Sequence, residues 1–349
     1  MKVNGFLGED FRQVPAAVKR LEELGYDRAN AAEIKTSPLL ALTLAAEHSS
    51  RIELGTSISI AFARSPYVMA LEAWNLQAYS NGRIAIGLGT QVKGHIEKRY
   101  SMTWSKSVGP RIREYILMMR AVWDTFQNHT KPAFEGEHYR FTLMSPFFDT
   151  GPIDTAPPKI GLAAVGPYMC QVAGEVADSL LLHSFGTPKY LREVQLPSIE
   201  KGLAKVGRGR SSFELQAGPW IVSGRNKEEF EASKKPVRDA ISFYGSTRTY
   251  GPVWDNLGMS EMTGRLHEMS LKGEWKAMSE LIDDEIIEQF AIVGAPEQVL
   301  PKLLDAYGGM IDSVSIGDDS DEGLFGDDSA LRKVIAQLHD APTPMATAT

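Results

Sequence analysis

The chain has 349 residues, 43% of them hydrophobic and 23% charged, with a formal net charge of −7. That length permits two ordinary domains or one large α/β barrel, and the apolar share is enough for a sizeable core. The acidic balance and the absence of Lys/Arg-rich runs argue against a nucleic-acid binder, and no uncharged stretch approaches the roughly 18 apolar residues of a membrane span.

The opening stretch, MKVNGFLGED, has neither a long apolar run nor a cleavage signal, so no targeting segment is expected. One cysteine, Cys170, leaves no intrachain disulfide and fits a reducing, cytoplasmic setting. It stands in YMCQVAGEVAD, on the apolar face of an expected helix, and reads as a small buried hydrophobe rather than a nucleophile.

In chain order, short β-like runs alternate with amphipathic windows. KVNGF is followed by the helix FRQVPAAVKRLEELG, with Gly25 as its stop. YDRANAA precedes a helix from Pro38 to His48, and IELGTSISI one from Pro66 to Tyr79. IAIGLG is the fourth run, and the long helix PRIREYILMMRAVWDTF appears only after a gap. PKIGLAA leads into a helix near Pro167, SLLLHS into one from Pro188 to Val206, and FELQAGPWIVS into one from Lys227 to Phe243. The helix GAPEQVLPKLLDAY precedes the last run, DSVSIG. This alternation fits a closed (β/α)8 TIM barrel, an α/β fold of parallel βα units, better than an open sheet.

A plain barrel needs about 250 residues, so roughly a hundred are surplus. They fall at about 91–109, 128–158 and 246–288, and the second of these contains FEGEHYRFT, which reads as a small hairpin. Long segments after barrel strands are expected on the face where sites form. Residues 1–330 are expected to form a single barrel domain with these insertions. Residues 331–349 are expected to form a C-terminal helix and a flexible tail ending in APTPMATAT.

Several stretches carry chemistry. GTSISIAFARSP (Gly55 to Pro66) looks like a buried strand, yet it holds Gly55, Thr56 and two serines, which leaves room for something to approach the backbone. GLGTQVKG invites a dinucleotide-fingerprint reading that fails, because Val92 stands where glycine or alanine is needed. AAVGPYM opens a helix whose first N–H groups, at Gly166, Tyr168 and Met169, would hold a phosphate; the alternative is a plain strand-to-helix turn. Glu33, just past the second run, could bond a cofactor ring or relay a proton, or be a solvated loop carboxylate. His95 in GHIEKRY shares a face with Arg99 if the segment is helical, and is either a proton donor or part of a solvated surface. His183 ends the sixth run as a ligand contact or a satisfied core histidine. His129 and His138 lack metal-ligand spacing, so no metal is expected. DDSDEG resembles half of a calcium loop, but position twelve is Ser329. No nucleophile-elbow, Walker or HExxH pattern occurs.

The run RIELGTSISIAFARSPYVMALEAWNLQAYSNGRIAIGLGTQ resembles the core signature of the bacterial luciferase-like monooxygenase superfamily. PKIGLAAVGPYMCQVAGEVADSLLL and FAIVGAPEQVLPKLLDAYGGMIDSVSIG resemble its fifth-strand and C-terminal segments. The likeness spans about Lys2 to Gly317, and within the superfamily it is nearest to the branch dependent on the deazaflavin F420.

That resemblance implies a TIM barrel binding F420, or alternatively FMN, at its C-terminal mouth. It implies a non-prolyl cis peptide at Ser57–Ile58 that props the flavin ring. It gives Thr90 and Gln91 as cofactor contacts, and Gly166, Pro167, Tyr168 and Met169 as the phosphate cradle. Glu33 matches an acidic position beside the ring. Ile34 replaces a histidine of the sugar-phosphate dehydrogenases, and Gln91–Val92 replaces a Gly–Glu pair whose glutamate is a proposed proton donor. A glucose-6-phosphate dehydrogenase is therefore not expected. Acid–base work would pass to Glu33, His95 or His183. Phe62, Trp104 and Trp220, with other loop aromatics, suggest an apolar substrate cleft; the alternative for each is plain packing. The expected function is hydride transfer between F420 and a small organic substrate. The alternatives are an FMN-dependent monooxygenase, served by a separate reductase, and a non-catalytic binding protein of the same fold. A homodimer is the family's usual assembly.

Overall fold

The computed structural model describes residues 1–316 and 327–344. The calcium-like DDSDEG and the end of the tail lie outside them.

The N-terminal elements are β1 (Lys2–Phe6), α1 (Val14–Leu24), β2 (Arg28–Ala31), α2 (Pro38–Glu47), β3 (Glu53–Ile60), α3 (Pro66–Tyr79) and β4 (Ile84–Gly89). Then come α4 (Lys93–Lys98), α5 (Val108–Asn128), the strands β5 (Phe134–Glu135) and β6 (Arg140–Phe141), β7 (Lys159–Ala164), α6 (Pro167–Val176) and β8 (Ser179–Leu182). α7 (Pro188–Tyr190), α8 (Leu196–Lys205), β9 (Glu214–Ala217), β10 (Trp220–Val222) and α9 (Lys227–Gly245) follow. The rest is α10 (Gly251–Asn256), α11 (Glu261–Lys272), α12 (Trp275–Glu280), α13 (Asp284–Phe290), β11 (Ala291–Val293), α14 (Pro296–Tyr307), β12 (Ser313–Ser315) and α15 (Asp328–His339).

Local chemistry sets these boundaries. α1 buries Val14, Val18, Leu21 and Leu24 on one helical stripe and stops at Gly25, whose φ of 97° suits a residue without a Cβ. α3 starts at Ser65, whose side chain accepts the N–H of Val68, with Pro66 in the first turn. β5 and β6 pair antiparallel, the hairpin expected in FEGEHYRFT.

Eight strands form a closed barrel in the order β1-β12-β9-β8-β7-β4-β3-β2, as the alternation of runs and helices predicts. Two expectations are corrected. FELQAGPWIVS is two strands: Glu214–Ala217 belongs to the barrel, whereas Trp220–Val222 pairs with Ala291–Val293 in a separate parallel sheet. Gly218 and Pro219 separate the two, and proline cannot donate to a ladder. The helix expected over 188–206 is interrupted by a π turn at Leu191–Gln195. Pro197 has no N–H to offer the carbonyl four residues back, which is where the α pattern lapses. Among the described residues, no helix is long and apolar enough to cross a membrane.

The chain divides into two compact units, one of residues 4–163 with 172–181, the other of residues 1–3, 164–171 and 182–349. In the first, the ring of Trp74 lies 6.5 Å from that of Trp123 and 5.9 Å from that of Phe126. The Trp123 indole N–H donates to the Ala70 carbonyl at 2.9 Å, which satisfies its one polar atom. In the second, the segment expected as a mixed polar insertion folds into α10 to α13. It encloses a core with Phe185, Trp254, Met278 and Phe290 buried together.

Candidate functional site

The first unit carries a bulge at the end of β3. Thr56 pairs with Ile86 and Ser59 with Leu88, so β3 has one residue more than β4 over this interval. The Ser57–Ile58 peptide is cis, the isomer the family resemblance implied. Neighbouring glycines explain why the segment is rich in small residues. The Thr56 hydroxyl donates to the Gly87 carbonyl at 2.7 Å, and a Cβ on Gly87 would lie 2.1 Å from the Thr56 carbonyl oxygen. A Cβ on Gly89 would lie 2.6 Å from the Ile58 side chain. Ile58 thus sits over a strand end that cannot carry a side chain, while Ser57 and Ile58 both stay half-exposed.

Glu33 brackets this bulge. Its N–H donates to the Ile58 carbonyl at 3.1 Å, and its Oε2 accepts the Ile60 N–H at 2.8 Å. The same oxygen accepts Nη1 of Arg64 at 2.8 Å. Burial alone would lower the Arg64 pKa, but the Glu33 hydrogen bond and charge outweigh it and hold the guanidinium above its ordinary value. Glu72 lies in the same field. Burial, joined by repulsion from Glu33 and opposed by Arg64, raises its carboxyl, and its Oε2 is buried without a partner. Glu33 is therefore engaged as a backbone clamp. The sequence missed Arg64 as its partner, although the Arg-x-Pro of the signature was the available signal.

Thr90 and Gln91 lead out of β4. Gln91 has a φ of 60°, and its side-chain carbonyl accepts the N–H of Val92 at 2.9 Å. His95 is exposed on the short α4, with Arg99 at that helix's C-cap and bonded to the Ile34 carbonyl at 2.8 Å. Phe62 and Trp104, both expected at a substrate cleft, do meet, edge to face at 6.1 Å. Phe62, however, is wholly buried, with the Arg111 guanidinium 4.2 Å from its ring centre.

In the second unit, Gly166 and Pro167 open α6, with Tyr168 exposed and Met169 half-buried. A Cβ on Gly166 would meet nothing within 4 Å. The first N–H groups of any helix have no intrahelical acceptor, so this open end can receive an anion. Cys170 is buried behind it, and burial pushes its thiol up to about 12, against a weaker opposing bond from Gln195. That is an inert core thiol, as its place in the helix suggested.

His183 follows β8. Its Nδ1 accepts the N–H of Phe185 at 2.9 Å, which leaves the ring proton on Nε2. Its ring lies 4.5 Å from that of Tyr244 and 5.1 Å from that of Tyr250. Burial lowers its pKa to about 4, so it is neutral at physiological pH. Trp220 stacks with Tyr244 at 6.2 Å. The sequence did not single out Tyr244 or Tyr250, and no local pattern marks them. Among the described residues, no group of three His, Cys, Asp or Glu could hold a metal. His129 instead pairs with Asp149 at 2.9 Å.

The model of the luciferase-like monooxygenase family matches residues 3–313. The chain belongs to that family. Among its relatives is the uncharacterized protein Rv1360 of Mycobacterium tuberculosis, 41% identical over 314 residues that cover 90% of this chain and 92% of the relative. A 5,10-methylenetetrahydromethanopterin reductase of Archaeoglobus fulgidus is 28% identical over 269 residues, 75% of each chain. In fold, this luciferase-like chain is similar to the coenzyme F420-dependent tetrahydromethanopterin reductase of Methanopyrus kandleri. That structure has a TM-score of 0.72 and 21% identity, covering 96% of this chain and 97% of its own.

Proposed function

We propose that the protein is an oxidoreductase that transfers a hydride between deazaflavin F420 and a small organic substrate. The observation that carries this reading is the bulged end of β3, where Ser57 and Ile58 stay half-exposed over Gly89 and are bracketed by Glu33. The relatedness to a 5,10-methylenetetrahydromethanopterin reductase supports the direction of the chemistry.

The residues present fit such a cofactor. Within the first unit, Ser57 and Ile58 offer a half-exposed ledge for a flat ring, with Thr90 and Gln91 as further contacts. Within the second unit, taken by itself, the open space before Gly166 suits a phosphate on the N–H groups of Tyr168 and Met169. The deazaflavin, when bound, supplies hydride chemistry and reacts poorly with oxygen because carbon replaces N5. The protein's part is positioning. Glu33 and Arg64 hold the ledge, and His183, neutral and protonated on Nε2, is a hydrogen-bond donor. The same ledge would also seat FMN. A flavin monooxygenase is the second reading, favoured by the family's own description.

Titration of the protein with F420 and with FMN, followed by cofactor absorbance and tryptophan fluorescence, tests the proposal. F420 is expected to bind tightly, and Gly166→Glu to weaken it by roughly a hundredfold or more through charge repulsion, with the circular dichroism unchanged. Tight FMN binding with none of F420 selects the second reading. Binding of neither removes both.

A further inference from the structure

The carbonyl of Val165 lies between the end of β7 and the start of α6, and three side chains of the second unit converge on it. The Tyr190 hydroxyl donates to it at 3.1 Å, the Gln195 amide at 3.4 Å and the Cys170 thiol, more weakly, at 3.8 Å. The Gln195 amide also reaches the Ala164 carbonyl at 3.5 Å and the Cys170 sulfur at 3.8 Å. Tyr190, Gln195 and Cys170 are all buried. The π turn at Leu191–Gln195 brings two of them together. Residues five apart in an α-helix stand about 140° apart around its axis. A π turn, closed by bonds to the fifth residue, puts Tyr190 and Gln195 on one side.

Two consequences reach the start of α6. A trans peptide holds its C=O and N–H in opposite directions. The Val165 carbonyl faces buried side chains, so the Gly166 N–H is turned away from them. Gly166 itself is half-exposed, with open space where a Cβ would stand. Glycine tolerates either sign of φ, so this peptide could flip at little cost unless something held it. The second consequence concerns Met169. In a regular helix its N–H would donate to the carbonyl four residues back, that of Val165. Among the described residues, the first main-chain bond of α6 runs instead from the Cys170 N–H to the Gly166 carbonyl, at 3.1 Å. Side chains occupy the Val165 acceptor, and the Met169 N–H is left for another partner.

We propose that Tyr190 and Gln195, supported by Cys170, are positioning residues. They hold the Val165–Gly166 peptide so that the N–H groups of Gly166 and Met169 stay available to a phosphate. The inference rests on the cofactor reading above for the identity of that phosphate, which is the one F420 or FMN carries.

F420 and its phosphate-free deazariboflavin head group, titrated side by side into the full chain and followed by fluorescence, test it. FMN and riboflavin form a second pair. The ratio of affinities within a pair reads the phosphate arm, and a wild-type ratio of roughly a hundredfold is expected. Tyr190→Phe combined with Gln195→Met removes both donors at nearly unchanged volume. It should cut the ratio roughly tenfold and leave the phosphate-free member within about twofold. A purely structural role would weaken both members together, or neither. Urea unfolding checks the fold, and if the double variant does not fold, Tyr190→Phe alone should cut the ratio roughly threefold.

An unchanged ratio in a folded variant, or an equal loss by both members, overturns the proposal and leaves the cofactor reading standing. A wild type that binds both members of a pair equally overturns it too, since no phosphate is then held. Binding of neither cofactor removes the reading, and inorganic phosphate titrated into 15N-labelled protein then decides. Shifts of the Gly166 and Met169 amides that the variant lacks keep the proposal. Shifts that persist in the variant, or none in the wild type, end it.

Discussion

The end of β3 and the surroundings of His183 each hold one chemical group in place, but by opposite means. At β3 the work is done by the absence of side chains. Gly87 and Gly89 leave room for the backbone and for Ile58, and a single carboxylate, Glu33, ties down the N–H and carbonyl groups of the bulge. At His183 it is done by bulk, with Tyr244, Tyr250 and Phe185 fixing the imidazole by contact of rings. The difference concerns tolerance. A backbone packed against backbone has no way to yield, whereas a cluster of rings can shift by rotamer and lose only part of its energy.

The sharpest test of that contrast is Gly87→Ala. The added Cβ would stand 2.1 Å from the Thr56 carbonyl oxygen, a main-chain atom in the adjoining strand. A loss of about 3 kcal/mol or more in urea unfolding is expected. A stability near that of the wild type would show that the strands can part, and the contrast would fail.

Next in size is Glu33→Ala. It leaves the Ile60 N–H without its acceptor and the partly buried Arg64 without its counter-charge. The expected cost is about 2–4 kcal/mol, with Glu33→Gln costing less because an amide oxygen still accepts. A cost under about 0.5 kcal/mol would mean the bracket does not constrain the bulge.

The His183 side predicts a smaller, pH-dependent effect. The folded imidazole titrates at about 4, below its ordinary 6.5. Between those values the unfolded chain binds a proton that the folded chain does not. This contribution to stability is complete above about pH 6.5 and is lost as the pH falls toward 4. Its size is about 1–3 kcal/mol, the upper end being the full shift converted at 25 °C. Unfolding measured from pH 7 to 4 should show it, and His183→Phe should remove that part of the slope. An unaltered slope in the variant would mean the ring is solvated.

The smallest effect belongs to Gly166→Ala. Nothing lies within 4 Å of the added methyl, so stability should change by less than about 0.5 kcal/mol. Set beside Gly87→Ala, it separates a glycine required by packing from one with open space beside it.

The bulged end of β3 was legible in the sequence because its causes are local. The small residues of GTSISI, the glycines of IAIGLG and Pro167 at the start of a helix all act within a few residues of where they are written. Glu33 was visible as a candidate, but its role was not, because the partners that occupy its oxygen, Ile60 and Arg64, are 27 and 31 residues away in the chain. Phe62 was expected at an apolar substrate cleft or as plain packing; it is wholly buried, beside Arg111 from α5 and Trp104 from the segment after β4. The split of FELQAGPWIVS was signalled by Gly218 and Pro219. Its pairing with Ala291–Val293 was not, since that partner lies about seventy residues on.

By itself the sequence determined the alternation of strands and helices, the barrel they form and the glycine positions at strand ends. Periodicity, capping and the lack of a Cβ are properties of neighbouring residues, and they act before any long-range contact exists. Only the tertiary structure decided which groups are free to act. It turned Glu33 into a clamp, enclosed Phe62, and left His183 neutral with its proton on Nε2. Charge state and exposure depend on what the fold brings alongside a side chain, and those neighbours lie tens of residues away along the chain.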